Sequence, residues 1–306
     1  MAPRPAEAAA AGREAVKLLW FQDLDPMVSA GGAQLNDRAI IQLGYQLGLD
    51  IQIVVPESGP PSLDDVGAVI ISNATRFPVG MYQELQDKGA PYIFFFHDYW
   101  PMCKWRLFYS QEEKCKTCFL KERWLPIIQE AALLIWLSPL HRQAWLWSYP
   151  ELRRHRYALV PSAIDPGQFH DLGLDRKGTV AVDSGLAFKG SSMFLEWAEA
   201  HPEEPITLAG PVEGLVLPPN VTAIGMVPYQ QMNQLYNRHQ TFLHLPTTAQ
   251  PFDRTVAEAY LASCRVTGNK NVGALSWPFF KKGPAAVAEA VGSAPLTFWK
   301  AVARAV

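Results

Sequence analysis

The sequence has little of what marks secreted, membrane-spanning or strongly nucleic-acid-binding proteins. Four cysteines in 306 residues are too few for a disulfide scaffold, which favours a cytoplasmic location. The longest uninterrupted apolar run, 131–137, is far shorter than the roughly 18 residues of a membrane helix, so no transmembrane segment is expected. Lysine and arginine total 27 against 29 for aspartate and glutamate. This balance gives no overall attraction to nucleic acid or to an anionic membrane.

What is present indicates a folded protein of about two domains. Hydrophobic residues make up 49% of the chain and charged residues 18%, which is too apolar for disorder. The length of 306 residues is enough for two cores. The opening stretch 1–14 differs, because it is rich in alanine and proline and lacks the apolar segment of a signal peptide. It is predicted to be a disordered tail.

From residue 15 onward, short apolar runs alternate with amphipathic segments, the pattern of parallel strands joined by crossover helices. A first domain, 15–160, has predicted strands at 15–21, 51–55, 68–72, 92–96 and 133–137 and a helix at 33–47. A second domain, 161–283, has predicted strands at 180–183, 206–209, 221–224 and 241–245, with helices at 191–200, 229–238 and 254–262. The C-terminal helices, 284–306, are expected to pack back toward the first domain. The predicted fold is therefore α/β with two doubly wound domains, whose ligands lie at the carboxyl ends of the strands.

Two segments at strand–helix junctions are candidates for binding an anion. The loop with Gly31 and Gly32 precedes a predicted helix, but it lacks the full dinucleotide-binding pattern, and on its own it is better explained as a simple tight turn. In the segment 250–259, amides near Arg254 and Thr255 would be free to meet a diphosphate, and Glu258 could accept hydrogen bonds from a ribose diol. The alternative is an ordinary helix start with Asp253 as its cap and Glu258 on a solvated face.

A series of short motifs in a fixed order resembles the nucleotide-sugar half of family 4 glycosyltransferases of the GT-B fold. The motifs are Pro161-Ser162-Ala163-Ile164-Asp165, Phe188-Lys189-Gly190, Leu208-Ala209-Gly210, Ile224-Gly225-Met226-Val227-Pro228, the segment 250–258 and Asn271-Val272-Gly273. The first half agrees, because Gly31-Gly32-Ala33 is similar to the family's glycine loop and His97-Asp98-Tyr99-Trp100-Pro101 to its histidine loop. The resemblance covers nearly all of residues 16–300, and it implies two Rossmann-like domains facing across a cleft.

The resemblance also implies roles for single residues. Lys189 would neutralise the diphosphate of a UDP- or GDP-sugar, Glu258 would bind the ribose, and the backbone around Val227 would hold the base. Gly31 and Gly32 would approach the diphosphate or the acceptor, and His97 would contact the transferred sugar. The remaining donor-site positions are Ser184, Gln250, Arg254 and Thr255. The implied reaction retains the anomeric configuration and needs no metal or other cofactor, since a lysine and helix amides can stabilise the leaving diphosphate.

The sequence departs from the family pattern at three positions of the donor site. Gln250 stands where an acidic residue is usual, Ser184 and Gly185 where an arginine is frequent, and Asp253 where a glycine is common. An amide can orient a sugar hydroxyl but supplies no charge. A second hypothesis is therefore a catalytically silent protein of the same fold that binds a nucleotide-sugar, a glycan or nucleic acid.

The region after His97 has two further candidate sites. Cys103, Cys115 and Cys118 together with His97 could form a tetrahedral Cys3His zinc site, or they could be ordinary reduced cysteines. Trp100, Lys104, Trp105 and Arg106 begin a stretch of interleaved aromatic and basic residues that suits stacking on sugars or on bases with phosphate contacts. They are the predicted acceptor site. The acceptors left open are a glycan, a lipid-linked or small molecule, and a hydroxymethylated DNA base.

Overall fold

The structure is a computed structural model, and it describes residues 16–103, 119–183, 189–211, 214 and 216–306. The N-terminal stretch 1–14, predicted to be a disordered tail, lies outside these residues. Among the helices of the described residues, none has the length and apolar character needed to cross a membrane.

The first half of the chain is built on a parallel sheet, and six strands of it fall in the described residues. They are β1 (Lys17–Phe21), β2 (Asp50–Val54), β3 (Val66–Ser72), β4 (Tyr92–Phe96), β5 (Leu133–Trp136) and β6 (Tyr157–Leu159). The helices between them are α1 (Gly32–Gln46), α2 (Val79–Asp87), α3 (Phe119–Gln129) and α4 (Pro139–Ser148). All residues of β4 are buried, which is typical of a parallel strand covered by helices on both faces.

The second half repeats this architecture around a second parallel sheet. Its strands in the described residues are β7 (Thr179–Val182), β8 (Ile206–Ala209), β9 (Val221–Gly225), β10 (Thr241–His244) and β11 (Arg265–Gly268). Its helices are α5 (Ser191–Ala200), α6 (Met232–Asn237), α7 (Arg254–Leu261), α8 (Pro284–Gly292) and α9 (Ala294–Ala303). The two sheets confirm the prediction of an α/β chain with two doubly wound units.

The strand orders place a crevice at the carboxyl edge of each sheet. The first sheet runs β2-β1-β3-β4-β5-β6 and the second runs β11-β10-β7-β8-β9. The direction of winding therefore reverses between β1 and β3 in the first sheet, and between β7 and β10 in the second. Ligands of such sheets bind outside the carboxyl ends of the strands at these reversals. The segments to inspect are therefore those that follow β1, β3, β7 and β10, which include the amino ends of α1 and α7, and the residues beside them at the same edges.

The last helix belongs to the hydrophobic core of the first half. Within α9, Phe298 and Trp299 are buried and pack against Trp20 of β1. The indole Nε1 of Trp299 donates a hydrogen bond of 2.8 Å to the carbonyl of Ile40 in α1. A side chain at Gly44 would overlap the Trp299 ring, at 2.8 Å. The two helices are thus in close contact, and one hydrophobic cluster continues from β1 to the C-terminal helices.

Candidate functional site

A cavity lies where the two halves face each other. Its volume is about 240 Å³, and both halves line it. Gly32 and Ala33 begin α1, Arg254 and Thr255 begin α7, and Lys189 stands between β7 and α5. Neither N-cap residue, Gly31 or Asp253, makes a side-chain hydrogen bond to the amides of its helix. Two helix ends with partial positive charge and one lysine therefore border a single cavity, which is an arrangement that attracts anions.

Lys189 is held at the cavity by polar side chains of the segment before α7. Its Nζ donates to Oε1 of Gln250 at 2.6 Å and lies 3.4 Å from Oδ1 of Asp253. The Gln250 amide donates in turn to the carbonyl of Thr248 at 3.0 Å, so its oxygen stays turned toward the ammonium. The side chain of Lys189 keeps 30% of its surface exposed. It is therefore anchored and still reachable by a ligand.

Asp253 is a buried carboxylate and does not cap α7. Its backbone has a φ of 69°, and its side chain accepts no hydrogen bond from the helix amides. Instead Oδ1 lies 3.2 Å from Nε2 of His244, the last residue of β10. Burial opposes ionisation of this carboxyl, but His244 and Lys189 outweigh it and lower the pKa of Asp253. The capping hypothesis for this residue is wrong, because the carboxylate turns to Lys189 and His244.

Glu258 and Arg254 form a buried cluster with Tyr229, a residue that sequence reasoning had not singled out. The Tyr229 hydroxyl donates to Oε1 of Glu258 at 2.9 Å, and the Arg254 guanidinium lies 3.5 Å from the same oxygen. Burial raises the pKa of Glu258, and Arg254 counteracts part of that rise. Glu258 is only 2% exposed. The alternative that placed it on a solvated face is therefore wrong.

Arg254 also connects the two halves. Its Nη1 donates to the carbonyl of Ala163, in the segment that links the halves, and the Ala163 amide donates to Oδ1 of Asn36 in α1 at 2.6 Å. A side chain at Gly32 would lie 3.5 Å from Cδ of Arg254. The glycine at the start of α1 and the arginine at the start of α7 are thus neighbours across the cleft.

His97, at the end of β4, reaches the cavity from the first half and is fixed by a buried acid. Its Nε2 lies 2.7 Å from Oδ1 of Asp37 in α1, and the Asp37 side chain is fully buried. The other oxygen of Asp37 accepts hydrogen bonds from the Ser72 hydroxyl and from Nε1 of Trp20. Sequence reasoning missed Asp37. Its signal is its position, because an acidic residue three and four places before Ile40 and Ile41 lies on the apolar stripe of an amphipathic helix.

Of the other predicted residues, one lines the cavity, some lie elsewhere in the structure, and the rest fall outside the described residues. Thr255 lines the cavity, and half-buried Val227 packs beside the core near Tyr229. Trp100 packs against Trp124, with ring centres 5.0 Å apart. Cys103 is a half-buried free cysteine. The predicted positions outside the described residues are Ser184, Lys104, Trp105, Arg106, Cys115 and Cys118, so the zinc site and the acceptor site stay predictions.

Comparison with known proteins shows a fold and no close relative. Neither a protein-family model nor a curated protein sequence matches the chain. Among solved structures, HepE of Anabaena in complex with UDP-glucose aligns with a TM-score of 0.63 and 14% identity over 94% of this chain and 98% of its own. Sucrose-phosphate synthase from Thermosynechococcus elongatus aligns with a TM-score of 0.65 and 13% sequence identity over 95% of each chain.

A third solved structure, a glycosyltransferase from Rickettsia africae, aligns with a TM-score of 0.61 and 12% identity over 94% of each chain. At these identities the likeness concerns the fold alone. It agrees with the two facing parallel-sheet units, and the chain has the GT-B fold.

Proposed function

We propose that the protein is a glycosyltransferase that moves a sugar from a nucleoside diphosphate to a hydroxyl acceptor. One observation carries the proposal: the amino ends of α1 and α7 and the ammonium of Lys189 border the same cavity. A diphosphate develops negative charge as it leaves, and fixed amides and a lysine stabilise that charge without a metal ion. The UDP-glucose complex of HepE, a protein with a similar fold, supports a sugar nucleotide as the ligand.

The donor would lie along the second half of the cleft. The diphosphate would face Lys189 and Thr255, the ribose would exchange hydrogen bonds with Glu258, and the base would rest against the backbone near Val227. Tyr229 and Arg254 now hold Glu258, so a bound ribose would have to share that carboxylate with them. UDP and GDP are the candidate carriers, and the transferred group is a hexose or a related sugar.

The transfer is proposed to proceed with retention of the anomeric configuration. The acceptor oxygen would form its bond to the anomeric carbon on the face that the diphosphate leaves, and the leaving phosphate oxygen would take the acceptor's proton. Asp253 lines the cavity as the one carboxylate among its described lining residues. His244 and Lys189 lower its pKa, which makes it a weak base and a weak nucleophile. This property favours a route in which the phosphate itself is the base.

The test is binding followed by transfer. UDP, GDP and their hexose conjugates are titrated calorimetrically into the wild type, into Lys189→Ala and into the control Lys177→Ala. Only Lys189→Ala should weaken diphosphate binding, by about tenfold or more, since a charge-assisted hydrogen bond contributes roughly 1.5–3 kcal/mol. The preferred donor is then incubated with glycan, lipid and hydroxymethylated DNA acceptors, and NMR of the product gives the anomeric configuration. Equal donor affinity in all three proteins would contradict the donor site.

A second candidate function is binding without transfer. It is favoured by the uncharged Gln250, which bonds directly to Lys189 and supplies no carboxylate at that point. Under this alternative the titrations would show donor binding, and neither hydrolysis nor transfer would follow with any acceptor. Replacement Gln250→Glu would then be the informative variant, because a gain of hydrolysis would show that one missing charge silences the site.

A further inference from the structure

Asp37 is a buried acidic side chain whose two oxygens both have partners, and the sequence motifs do not include it. It lies on α1 with no exposed side-chain surface. Three side chains from three strands or strand ends contact its two oxygens: Trp20, Ser72 and His97. Buried carboxylates are costly unless they are paired or hydrogen-bonded. This one is therefore held where it is by residues of β1, β3 and the end of β4.

The donor-only indole of Trp20 determines, through Asp37, which nitrogen of His97 carries the hydrogen. The indole N–H of Trp20 can only donate, and the Ser72 hydroxyl donates to the same oxygen, Oδ2. These bonds suit an ionised, accepting carboxylate. Its second oxygen, Oδ1, then accepts from Nε2 of His97 at 2.7 Å. The imidazole accordingly carries its proton on Nε2.

The other ring nitrogen of His97 is then a hydrogen-bond acceptor at the cavity. Nδ1 has no hydrogen-bond partner within the part of the chain that the structure describes, and His97 lines the cavity. A neutral imidazole with its hydrogen on one nitrogen presents a lone pair on the other. A lone pair attracts the O–H of a sugar and repels phosphate oxygens. The histidine therefore suits a hydroxyl group and does not suit the diphosphate.

We propose that Asp37 is a positioning residue that fixes His97 as the Nε2–H tautomer, so that Nδ1 accepts a hydrogen bond from a hydroxyl of the donor sugar. The role rests on the proposed function for the presence of a sugar, but the tautomer itself does not depend on it. The two parts of the donor thus contact different residues. Lys189 and the two helix ends bind the diphosphate, and the Asp37–His97 pair binds the sugar.

The first test reads the tautomer directly. In protein labelled with 15N-histidine, long-range 1H–15N correlation at neutral pH distinguishes the two tautomers and the doubly protonated ring, and His97→Ala assigns the signal. We expect the Nε2–H form in the free protein. We also expect the Nδ1 resonance to shift on addition of UDP-glucose and to stay in place with UDP. An Nδ1–H or doubly protonated His97, or the same shift with both ligands, would overturn the proposal.

The second test separates positioning from stability. Asp37→Asn offers an N–H to Nε2 of His97, which reverses the tautomer and turns Nδ1 into a donor. Ser72→Ala removes one bond to Oδ2 of Asp37 but leaves the indole donor of Trp20 on that oxygen, so Asp37 still accepts from His97. We expect Asp37→Asn to lower turnover of the sugar donor about tenfold, the value of one lost hydrogen bond, with UDP affinity unchanged. Ser72→Ala should retain wild-type turnover.

The double variant Asp37→Asn/His97→Ala should be no slower than His97→Ala alone, because Asp37 acts through His97. An additive loss, or equal turnover of Asp37→Asn and Ser72→Ala, would overturn the proposal. If Asp37→Asn does not fold, the tautomer and ligand-shift measurements on the wild type decide the question. Failure of the proposed function is recognised separately, since the wild type would then neither bind nor turn over any nucleotide-sugar while its tautomer could still be read.

Discussion

His141, which sequence reasoning did not single out, is a buried histidine that supports the peptide after His97. Its Nε2 lies 2.9 Å from the carbonyl of Asp98, and the Leu137 amide donates to its Nδ1 at 3.4 Å. Burial lowers the pKa of His141 from 6.5 to about 3. Between pH 3 and pH 6.5, His141 therefore binds a proton in the unfolded chain but not in the folded protein. Acid therefore destabilises the fold from pH 6.5 downward.

His141→Gln should remove this part of the acid sensitivity and keep a donor to the Asp98 carbonyl. Each pH unit well inside the interval costs about 1.4 kcal/mol for a group that titrates only when unfolded. Between pH 6 and pH 5 the wild type should lose about 1 kcal/mol more unfolding free energy than the variant. Urea denaturation of both proteins at the two pH values measures the difference. Identical pH slopes would show that His141 takes up a proton in the folded state.

At Glu258 the two simplest replacements should differ sharply. Glu258→Ala leaves the buried Arg254 guanidinium without its acid partner and the Tyr229 hydroxyl without an acceptor, which costs about 3–5 kcal/mol of stability. Glu258→Gln keeps an acceptor oxygen for Tyr229 and should fold, but it should bind a nucleotide ribose more weakly. Thermal unfolding and calorimetric titration with UDP separate the two effects. Wild-type UDP affinity in a folded Glu258→Gln protein would contradict the ribose role.

At the scale of single elements, the backbone at Gly190, next to Lys189, lies very close to the backbone of Leu245 after β10. It has a φ of 102°, and a Cβ there would lie 2.0 Å from the carbonyl oxygen of Leu245. Gly283, with a φ of 98°, has open space around a Cβ. The two glycines share a positive φ but differ in ψ, which is 23° at Gly190 and 172° at Gly283, and in the neighbouring atoms.

Gly190→Ala should therefore destabilise the protein more than Gly283→Ala, because the second variant has only the cost of its unusual backbone angles, roughly 1–3 kcal/mol, and no clash with a carbonyl oxygen. The clash should also displace Lys189 and weaken diphosphate binding in the first variant alone. Chemical denaturation and UDP titration of both variants provide the comparison. Equal losses would mean that the loop after β10 yields to the added methyl group at little cost.

The same scale shows what the sequence could and could not predict. Strands with strong apolar character were predicted within two residues, and 92–96 and 206–209 agree with β4 and β8 at both ends. The short edge strands β6 and β11 were missed, because Arg265-Val-Thr-Gly268 has little apolar signal and its pairing to β10 is non-local. The helix predicted over 229–238 begins as a 3-10 turn, and α6 itself starts only at Met232.

The sequence predicted residues of the cavity at strand–helix junctions and through the family resemblance. Lys189, Arg254 and Thr255 were expected at the cavity and line it. Asp37 and Tyr229 were not expected, since each acts through a partner far along the chain and neither stands in a recognisable motif. Such pairings depend on how the sheets bring distant segments together, and no local pattern contains that information.

At the scale of the whole molecule, α9 completes the hydrophobic core of the first half. Trp299→Ala should therefore destabilise the first half, by about 3–5 kcal/mol for a large buried aromatic side chain. Hydrogen exchange measured by mass spectrometry should show faster exchange in α1 and β1. Leu296→Ala is the control, because Leu296 lies on the same helix and is 41% exposed. If hydrogen exchange became faster in α8 and α9 alone, the last helix would pack on the first half without stabilising its core.

The position of Trp299 also has a consequence for synthesis on the ribosome. Domains generally fold as the chain emerges from the ribosome, the N-terminal one first. The side of α1 around Gly44, however, is not covered by the Trp299 ring until residue 299 has been translated. The nascent first half would expose that apolar side while the whole second half is being made. A chaperone that recognises apolar helices would meet it during this interval, and the two halves would reach their final stability together.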